Sequence, residues 1–372
     1  MHHEFYHLAK KFVEQYKQKQ FALATVVRVQ GSAYRREGTR MVIQKNGNWF
    51  GNISGGCLEG DIRNKAINSI KNNENILVTY DTRESKNKEI RVALGCNGII
   101  DILIEPVNET IVTFSKSVIA IFENQQTAFL STNVEWINEK VTVSRKLKKQ
   151  QTKEFPQKTP VNENFCQVEK TATRITLNEF IGLQRKVVIW GSGPDVVPLV
   201  NFAHQLGWQI EVANDCGLEN IREKLPGINV NQTNFDDFIE KTQLHLNTAV
   251  LLVSHDYYKD YFILEKIINH PVKYIGIMGP KRRGARMVEE LNKRKPGIQY
   301  DETKLHYPIG LDIGSDNPTE IALSIIAEIQ ACFSGKNATP LSQKTTRIHD
   351  AVSEAPMEEY NPDSSTCLLN NF

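Results

Sequence analysis

A short apolar run that enters a glycine-rich turn constrains the fold of this chain more than any other feature. Lys186 to Trp190 is predicted to form a strand, Gly191-Ser192-Gly193 follows it, and a helix is expected from Pro194 to Leu206. Gln209 to Ala213 is the next predicted strand, and it ends just before Asp215. This order is typical of a βαβ unit, so we predict a Rossmann-like parallel-sheet domain in the second half.

The turn and the acid of this unit fit a dinucleotide site. Glycines let a phosphate approach a helix N-terminus, and an acid after the second strand can bind a ribose. Gly191, Gly193 and Asp215 occupy these places, but Val196 replaces the third glycine of the pattern. Two interpretations stay open: a site for NAD or NADP, and a Rossmann-like fold whose site is empty.

Polar residues follow the next predicted strand, Ala249 to Val253. Strand ends of an open parallel sheet face the ligand crevice, so His255, Asp256 and Asp260 could bind a metal, take a proton or contact a ligand. His255 is the candidate for proton transfer. Asp256 is a candidate ligand contact, although an Asp at this place also caps helices.

Two more segments complete the candidate site of the second half. Lys281 and Arg282 stand at a predicted helix start after the strand Tyr274 to Met278, where basic residues suit a phosphate. A solvated basic turn is the alternative. Asp312 lies in the run from Pro308 to Ser315, which leads to a helix predicted from about Pro318 to Phe333.

The first half contains a basic loop between two predicted strands. Phe21 to Val29 is one strand, Met41 to Gln44 is the other, and Arg35 and Arg36 lie between them. Converging guanidinium groups can hold a phosphate or a carboxylate. The alternative is a solvated loop whose arginines pair with surface acids.

A glycine-cysteine turn follows a predicted hairpin, whose strands Met41 to Gln44 and Asn48 to Ile53 are joined by a tight Asn-Gly turn. Gly55 and Gly56 permit positive φ and leave no Cβ in the way of a ligand. Cys57 is predicted to lie in the first turn of a helix that runs to about Asn73, where the helix terminus favours a thiolate and an anion. The alternative is a tight turn with a small buried cysteine.

A second glycine-cysteine turn lies at Gly95-Cys96, before a strand predicted from Ile99 to Glu105. Two such turns in one small domain favour a shared functional site. Cys57 and Cys96 are therefore the candidate reactive sulfurs.

Composition excludes several classes of protein. The net charge of +2 does not indicate a polyanion partner such as nucleic acid, and no apolar run reaches the roughly 18 residues of a membrane span. The six cysteines form no CxxC pair, which favours a reducing cytoplasm over a disulfide scaffold. No signal peptide is recognisable, and 372 residues predict two or three domains.

These motifs resemble the XdhC/CoxI family of accessory factors for the maturation of molybdenum hydroxylases. The segments that carry the resemblance are Gly31 to Gly38, Ser54 to Gly60, Leu94 to Pro106, Gly191 to Gly193, Ser254 to Asp256, Gly276 to Arg283 and Pro308 to Gly314. The chain departs from the family at Asn97, Pro194 and Cys216. We expect a small N-terminal α/β domain over residues 1–108, a connector with some β structure over 109–183, a Rossmann-like domain over 184–340 and a polar tail over 341–372. Within the connector, Val118 to Phe122 and Ala128 to Leu130 are predicted to form short strands.

The resemblance implies a maturation chaperone rather than a catalyst. Such a factor would bind the molybdenum cofactor and deliver it, with or without sulfuration, to a xanthine dehydrogenase-like enzyme. The resemblance then implies that Arg35, Arg36 and the turn Gly55 to Cys57 hold the phosphate of the cofactor. It also implies that Cys57, the candidate metal contact, and Cys96 lie near its molybdenum–sulfur end. It would work in the cytoplasm as a homo-oligomer such as a dimer, and a cysteine desulfurase is a further expected partner. Two alternatives from other classes are an NAD(P)-dependent oxidoreductase that uses His255 and a thiol enzyme that uses Cys57.

Overall fold

The chain folds into two compact units, which meet in sequence between Leu183 and Gln184. The computed structural model describes residues 2–83, 98–138, 140–150 and 166–345. The mixed α/β fold class is confirmed, with antiparallel sheets in the first unit and a parallel sheet in the second. Of the predicted tail, only residues 341–345 are described, and they include the 3-10 turn Leu341–Gln343.

The first half of the first unit is a five-stranded antiparallel sheet with the order β3-β2-β1-β5-β4. Alternate residues of its central strand face opposite sides, so both faces of the sheet are buried. Phe21 and Leu23 pack with α1 and α3, whereas Ala22 and Ala24 pack beneath α2. The elements are α1 His2–Gln15, β1 Phe21–Gly31, β2 Arg40–Gln44, β3 Trp49–Phe50, α2 Glu59–Asn72, β4 Ile76–Asp81, β5 Gly98–Pro106 and α3 Glu109–Glu123.

Helix α3 corrects one prediction. The β-branched apolar run Val118 to Phe122 suggested a strand, but it lies inside this helix. Asn108 caps the helix by accepting a hydrogen bond from the backbone N–H of Ile111 at 3.0 Å. Burial at a helical period outweighs the strand propensity of the run. The buried positions include Ile111, Phe114, Val118 and Ile121.

A second antiparallel sheet of four strands completes the first unit. Its order is β7-β6-β9-β8, and β6 pairs with both β7 and β9 over long registers. The predicted strand Ala128 to Leu130 is part of β6, which continues well beyond it. The strands are β6 Thr127–Ile137, β7 Lys140–Gln150, β8 Cys166–Lys170 and β9 Arg174–Ile181.

Ion pairs join the two sheets of this unit. Arg40 of β2 makes a bidentate contact with Glu179 of β9 at 2.6 and 2.9 Å, and both side chains are buried. Arg145 of β7 pairs with Glu105 of β5, and Lys170 of β8 lies 3.1 Å from Asp101 of β5. The carboxylates at this junction are thus compensated within the fold. Apolar contacts from Val27 and Leu103 to Val134 and Leu177 fill the space between the sheets.

The second unit contains a six-stranded parallel sheet with the order β12-β11-β10-β13-β14-β15. This is the 3-2-1-4-5-6 order of a doubly wound nucleotide-binding fold, and it reverses between β10 and β13. The strands are β10 Lys186–Trp190, β11 Gln209–Asn214, β12 Asn229–Gln232, β13 Thr248–Leu252, β14 Tyr274–Ile277 and β15 Leu305–His306. The helices are α4 Val196–Gln205, α5 Glu219–Lys224, α6 Phe235–Lys241, α7 Tyr257–Ile267, α8 Lys281–Arg294 and α9 Pro318–Phe333.

Helix α4 begins two residues later than the expected Pro194 because two prolines flank its start. It begins at Val196, so Pro198 lies in its first turn. The first backbone N–H groups of a helix have no intrahelical acceptor, and a proline there breaks no ladder hydrogen bond. The helix is therefore not interrupted. In the described residues of either unit, no helix combines the length and the apolar character that crossing a bilayer requires.

We expect Glu179→Gln to destabilise the first unit by about 3 kcal/mol or more, because Arg40 would keep a buried charge without a charged partner. Native-state hydrogen exchange of the β1 and β2 amides measures this loss. The matched control is Glu123→Gln, which removes the exposed pair with Lys10 and should cost less than about 1 kcal/mol. Equal protection in the two variants would contradict the prediction.

Candidate functional site

The glycine-cysteine turn lies directly before helix α2. That helix begins at Glu59 with Leu58 as its N-cap residue, so Cys57 precedes the helix instead of lying in its first turn. The predicted placement is wrong by two residues, because the carboxylate of Glu59 turns back onto the loop and sets the start of the helix. Gly55 and Gly56 have φ values of 76° and 122°, which only glycine adopts readily.

Glu59 occupies the backbone amides of this loop. The N–H groups of Ile53, Ser54 and Gly56 donate to its carboxylate at 3.0, 2.7 and 2.8 Å. The hydroxyl of Ser54 also donates to the carboxylate and accepts a hydrogen bond from the N–H of Leu58 at 2.8 Å. An internal carboxylate thus fills the cradle that the glycine pattern suggested for a phosphate.

The protonation of Glu59 follows from these bonds. Burial of the carboxyl group favours its neutral form, but the hydrogen bonds from Ser54 and Ile53 outweigh burial and lower the pKa of Glu59 to about 2. The carboxylate is therefore charged at neutral pH.

Cys57 is exposed and forms no disulfide. Its thiol lies 3.5 Å from the carbonyl oxygen of Ser54, which is within reach of a weak hydrogen bond. The alternative of a small buried cysteine does not hold for this residue. The loop instead presents a sulfur to solvent on a backbone that Glu59 fixes.

Tyr34 is a neighbour of this loop that sequence reasoning did not single out. Its ring carbons lie 3.3–3.4 Å from the place that a Cβ on Gly55 would take, and 55% of the residue is exposed. The contact brings the loop after β1 beside the glycine-cysteine turn. In the sequence, the signal for this contact is a tyrosine within a basic loop, since tyrosine has both an apolar ring and a polar tip.

The arginines of the same loop do not converge on an open site. Arg35 pairs with Glu4 of helix α1, and Arg40 is the buried partner of Glu179. Arg36 is half-buried and lies within electrostatic range of Cys166. Burial raises the pKa of the Cys166 thiol. Of the predicted basic cradle, the structure therefore commits Arg35 to an ion pair within the fold.

Cys96 and its turn lie outside the described residues. Gly98, the first residue of β5, pairs with Gly31 of β1. A Cβ on Gly98 would lie 2.5 Å from the carbonyl oxygen of Ser32, so this position requires glycine. Strand β5 thus begins beside the loop that carries Tyr34.

In the second unit, the predicted residues gather at the carboxyl edge of the parallel sheet. Gly191 packs against the strand end after β13, because a Cβ there would lie 2.5 Å from the carbonyl oxygen of Val253. Gly193 lies beside the ring of His255, because a Cβ built on Gly193 would lie 3.2 Å from Nε2 of that ring. Both glycines serve close packing between the loops after β10 and β13.

The start of helix α4 offers few donors to a phosphate. Pro194 and Pro198 carry no N–H, and the N–H of Val196 donates to the carbonyl of Gly193 at 3.2 Å. Asp195 precedes the helix and adds a buried carboxylate. A negative charge at this place opposes a pyrophosphate, although the strand order is that of a nucleotide-binding fold.

His255 is held against this carboxylate. Its Nε2 lies 3.3 Å from Oδ2 of Asp195, and its side chain is 56% exposed. The backbone φ of His255 is 61°, which is uncommon for a residue with a Cβ and costs conformational energy. The imidazole is thus oriented by Asp195 and open to solvent, an arrangement that can exchange a proton.

The two other acids of this edge are already engaged. Asp215 forms a 2.7 Å ion pair with Lys259, which holds the pKa of that carboxyl below its ordinary value. Asp256 caps helix α7 by accepting the N–H groups of Tyr258 and Lys259. The helix-cap alternative for Asp256 is therefore what the structure shows, and a ribose at Asp215 would compete with Lys259.

A buried carboxylate underlies the loop that carries His255. Asp260 accepts the Ser254 hydroxyl at 2.6 Å and an N–H of Arg283 at 2.9 Å. Burial raises the pKa of Asp260, although both partners stabilise its charge. Arg283 is thus the basic residue of its segment that reaches inward, whereas Lys281 and Arg282 are exposed at the start of α8.

Asp312 is exposed in the loop before helix α9 and makes no contact with the other predicted residues that the described structure shows. Within the described ranges, no group of three or more His, Cys, Asp or Glu side chains could hold a metal ion.

We expect the Glu59 hydrogen bonds to weaken in acid. The pKa of Glu59 is about 2 in the folded loop and 4.5 in an unperturbed glutamate, so their contribution is complete above about pH 4.5 and is lost as the pH falls towards 2. Hydrogen exchange of the Ile53, Ser54 and Gly56 amides, corrected for intrinsic rates, should lose protection between pH 6 and pH 3.

The control is Glu59→Gln, which removes the charge at every pH. Its loop amides should be less protected at pH 6 and should change little towards pH 3. Undiminished protection in the unmodified protein at pH 3, with Glu59→Gln equally protected, would contradict the assigned role of the carboxylate.

Comparison with known proteins adds two family matches. Residues 187–329 match the XdhC Rossmann domain, and residues 15–81 match the XdhC and CoxI family. The first range lies in the parallel-sheet unit. The second includes the basic loop, the glycine-cysteine turn and helix α2.

Individual relatives align over most of the chain. A Bacillus subtilis (strain 168) protein, named as a probable subunit of xanthine dehydrogenase, is 27% identical over 335 residues, 84% of this chain and 93% of that protein. The molybdenum cofactor insertion chaperone PaoD of Escherichia coli (strain K12) is 20% identical over 82% of this chain and 81% of its own length. A crystal structure described as a xanthine dehydrogenase from Bacillus halodurans superposes with a TM-score of 0.71 and 26% identity, covering 91% of this chain and 99% of that chain.

Proposed function

This chain belongs to the XdhC and CoxI family, and we propose that it binds the molybdenum cofactor and delivers it to a xanthine dehydrogenase-like molybdenum enzyme. Two relatives support the proposal, one named for xanthine dehydrogenase and one for insertion of the molybdenum cofactor. Each aligns over more than four fifths of this chain, so the likeness extends through both units.

The observation that carries the proposal is the exposed thiol of Cys57 on a loop of fixed shape. Molybdopterin, the organic part of the cofactor, binds its metal through sulfur and also carries a phosphate. A solvent-facing thiol can approach the sulfur-rich metal end of this cargo, because thiolates are soft ligands. Glu59 holds the loop in place before any cargo arrives, which lowers the entropy that binding must overcome.

Tyr34 supplies a second contact in the same unit. Its exposed ring lies over Gly55, beside the turn that carries Cys57. A flat heteroaromatic ring such as a pterin can stack on a tyrosine ring. We assign Tyr34 to the pterin and Cys57 to the metal end.

The phosphate requires side chains, because Glu59 already occupies the loop amides. Arg36 lies in the same loop as Tyr34 and is the residue we assign to it, since guanidinium groups bind phosphate through paired hydrogen bonds. Either arginine of this loop would first have to exchange a contact within the fold for the phosphate, which for Arg35 is the ion pair with Glu4. In the second unit, Lys281 and Arg282 offer exposed positive charge to an anionic cargo or partner.

A carrier role fits the second unit better than nicotinamide chemistry does. The prolines and Asp195 at the start of α4 remove donors and add a negative charge where a pyrophosphate would lie. Sulfuration of the cargo, a cysteine desulfurase partner, a cytoplasmic location and a homo-oligomer remain part of the proposal and rest on the family alone.

We expect Cys57→Ala to reduce by at least about tenfold the molybdopterin that the protein retains when it is purified from molybdate-fed cells, because the soft contact is lost. Mass spectrometry of the released pterin measures the retained amount. The matched control is Cys216→Ala, which removes another exposed free thiol in the second unit and should leave retention unchanged. Full retention and full activation of the target enzyme by Cys57→Ala would overturn the assignment.

Tyr34→Ala should weaken retention by a factor of about 5–10, because an aromatic stacking contact is worth about 1 kcal/mol. Trp49→Ala is the control, since Trp49 is also a partly exposed aromatic residue of the first unit. Equal losses in both variants would point to a general effect of surface aromatics and would remove the pterin contact at Tyr34.

Titration with NAD or NADP should show no saturable binding up to about 1 mM, the upper end of ordinary Michaelis constants. The reason is the shortage of donors at the start of α4. Calorimetry with a known dehydrogenase as positive control tests this. Micromolar binding together with turnover would favour the oxidoreductase alternative.

A further inference from the structure

Four chemically active side chains that the proposed function does not use meet at one edge of the second unit. Tyr274 is the first residue of β14, and His306 is the last residue of β15. Glu328 and Cys332 lie four residues apart on α9, so they face the same side of that helix. We call these four residues the edge cluster.

Glu328 organises the edge cluster. Its Oε2 accepts a hydrogen bond from the hydroxyl of Tyr274 and another from the backbone N–H of Gly310, the latter at 2.8 Å. Its Oε1 lies 3.2 Å from Nδ1 of His306. Three partners thus hold one carboxylate, and the imidazole is fixed through its Nδ1 side.

The other nitrogen of the imidazole faces a sulfur. Nε2 of His306 lies 3.8 Å from Sγ of Cys332, within hydrogen-bond range for sulfur. The ring also stacks on Tyr274, with 4.2 Å between centroids and 19° between the planes. Carboxylate, imidazole and thiol therefore form one chain of contacts, the order that activates a thiol nucleophile in enzymes.

The charge state of His306 agrees with this geometry. Burial opposes the imidazolium, but the contacts with Cys332 and Glu328 outweigh burial and raise the pKa of His306 to about 9. The ring is therefore positively charged at neutral pH. A neighbouring imidazolium stabilises a thiolate, which is the reactive form of cysteine.

We propose that Cys332 is a nucleophilic thiol and a modification site for small soft electrophiles, with hydroperoxides as the chemical class it meets in the cell. In the reactive form, the thiol proton has passed to Nε2 of His306, so that Cys332 is a thiolate beside the imidazolium. The thiolate attacks the terminal oxygen of the hydroperoxide, an S–O bond forms and the O–O bond breaks. The sulfur loses two electrons and becomes a sulfenic acid. The leaving oxygen takes the Nε2 proton to become water or an alcohol, which leaves the imidazole neutral.

Two features limit the reactivity of the Cys332 thiol. Cys332 is partly buried, and the side chains of His306 and Glu328 are only 18% and 17% exposed, so small reagents are favoured over proteins. Cys332 also lies in the last turn of α9, where the helix dipole opposes a negative charge. The charged imidazole, however, contacts the sulfur directly.

Cys166 provides an internal comparison. It is also partly buried and free, but burial raises its pKa, and Glu179 adds a negative charge nearby. At pH 7 in the full chain, we expect iodoacetamide to alkylate Cys332 at least about tenfold faster than Cys166, because only Cys332 has an imidazolium partner. Peptide mass spectrometry after isotope-coded labelling gives both rates in one sample. Hydrogen peroxide followed by dimedone should label Cys332 in the same way.

Variants separate the roles. His306→Gln should slow alkylation of Cys332 at least about tenfold, since it removes the charge and the proton acceptor. His204→Gln, which changes an exposed histidine of the same unit, should leave the rate unchanged. Glu328 is a positioning residue that acts through His306. Glu328→Gln should therefore slow alkylation of Cys332 and lower the NMR titration midpoint of His306 by about one pH unit or more.

The proposal is overturned if Cys332 reacts no faster than Cys166 in the unmodified protein. An unchanged Cys332 rate in a folded His306→Gln protein overturns it as well. The first comparison needs no variant, so a His306→Gln protein that fails to fold still leaves the question decided. Neither result depends on cofactor binding, so the proposal stands or falls separately from the carrier function.

Discussion

The carboxylate of Glu59 determines the shape of the loop on which the first unit's chemistry depends. Three backbone amides and one hydroxyl donate to it, so the polar groups of a glycine-rich turn are satisfied inside the fold. Without such an acceptor, a turn with two positive-φ glycines would sample many conformations. With it, Cys57 stays exposed on a loop that does not need a ligand to order it.

The second unit keeps the architecture of a nucleotide-binding fold while changing its chemistry. The strand order and the close approach of Gly191 to Val253 are those of a doubly wound sheet. The polar side chains at the carboxyl edge, however, pair with each other: His255 with Asp195, and Asp215 with Lys259. Fold alone would have suggested a dinucleotide, whereas these pairs show that polar side chains of this edge already have partners inside the fold.

Sequence reasoning predicted the parts of this structure that depend on local pattern. The strand Lys186–Trp190 and the helix Pro318–Phe333 follow from apolar runs with clear end signals, namely Gly191 and the Asn317 cap. Helix α3 was not predicted, because its β-branched apolar run has the residue pattern of a strand and its burial is not known from the sequence. Its cap, Asn108, was the local signal that could have identified it.

The residues that define the sites are harder to foresee, because their partners are distant in the chain. Glu59 lies only a few residues from the amides it binds, but nothing in the residue types says that its side chain turns back. Tyr274 and Cys332 of the edge cluster are 58 positions apart in the chain, and their meeting depends on how α9 packs on the sheet. Only the assembled topology brings such pairs together, which is why residue pattern alone assigns Cys332 to the core.

The ion pairs between the two sheets of the first unit have a consequence for their alignment. Apolar surfaces can slide over each other at little cost, but Arg40–Glu179, Arg145–Glu105 and Lys170–Asp101 each need one partner at one place. A slip of two residues, about 7 Å along a strand, would separate all three carboxylates from their partners on the other sheet. These ion pairs thus fix the alignment of the two sheets, because they select a single stacking among several that apolar contacts alone would allow.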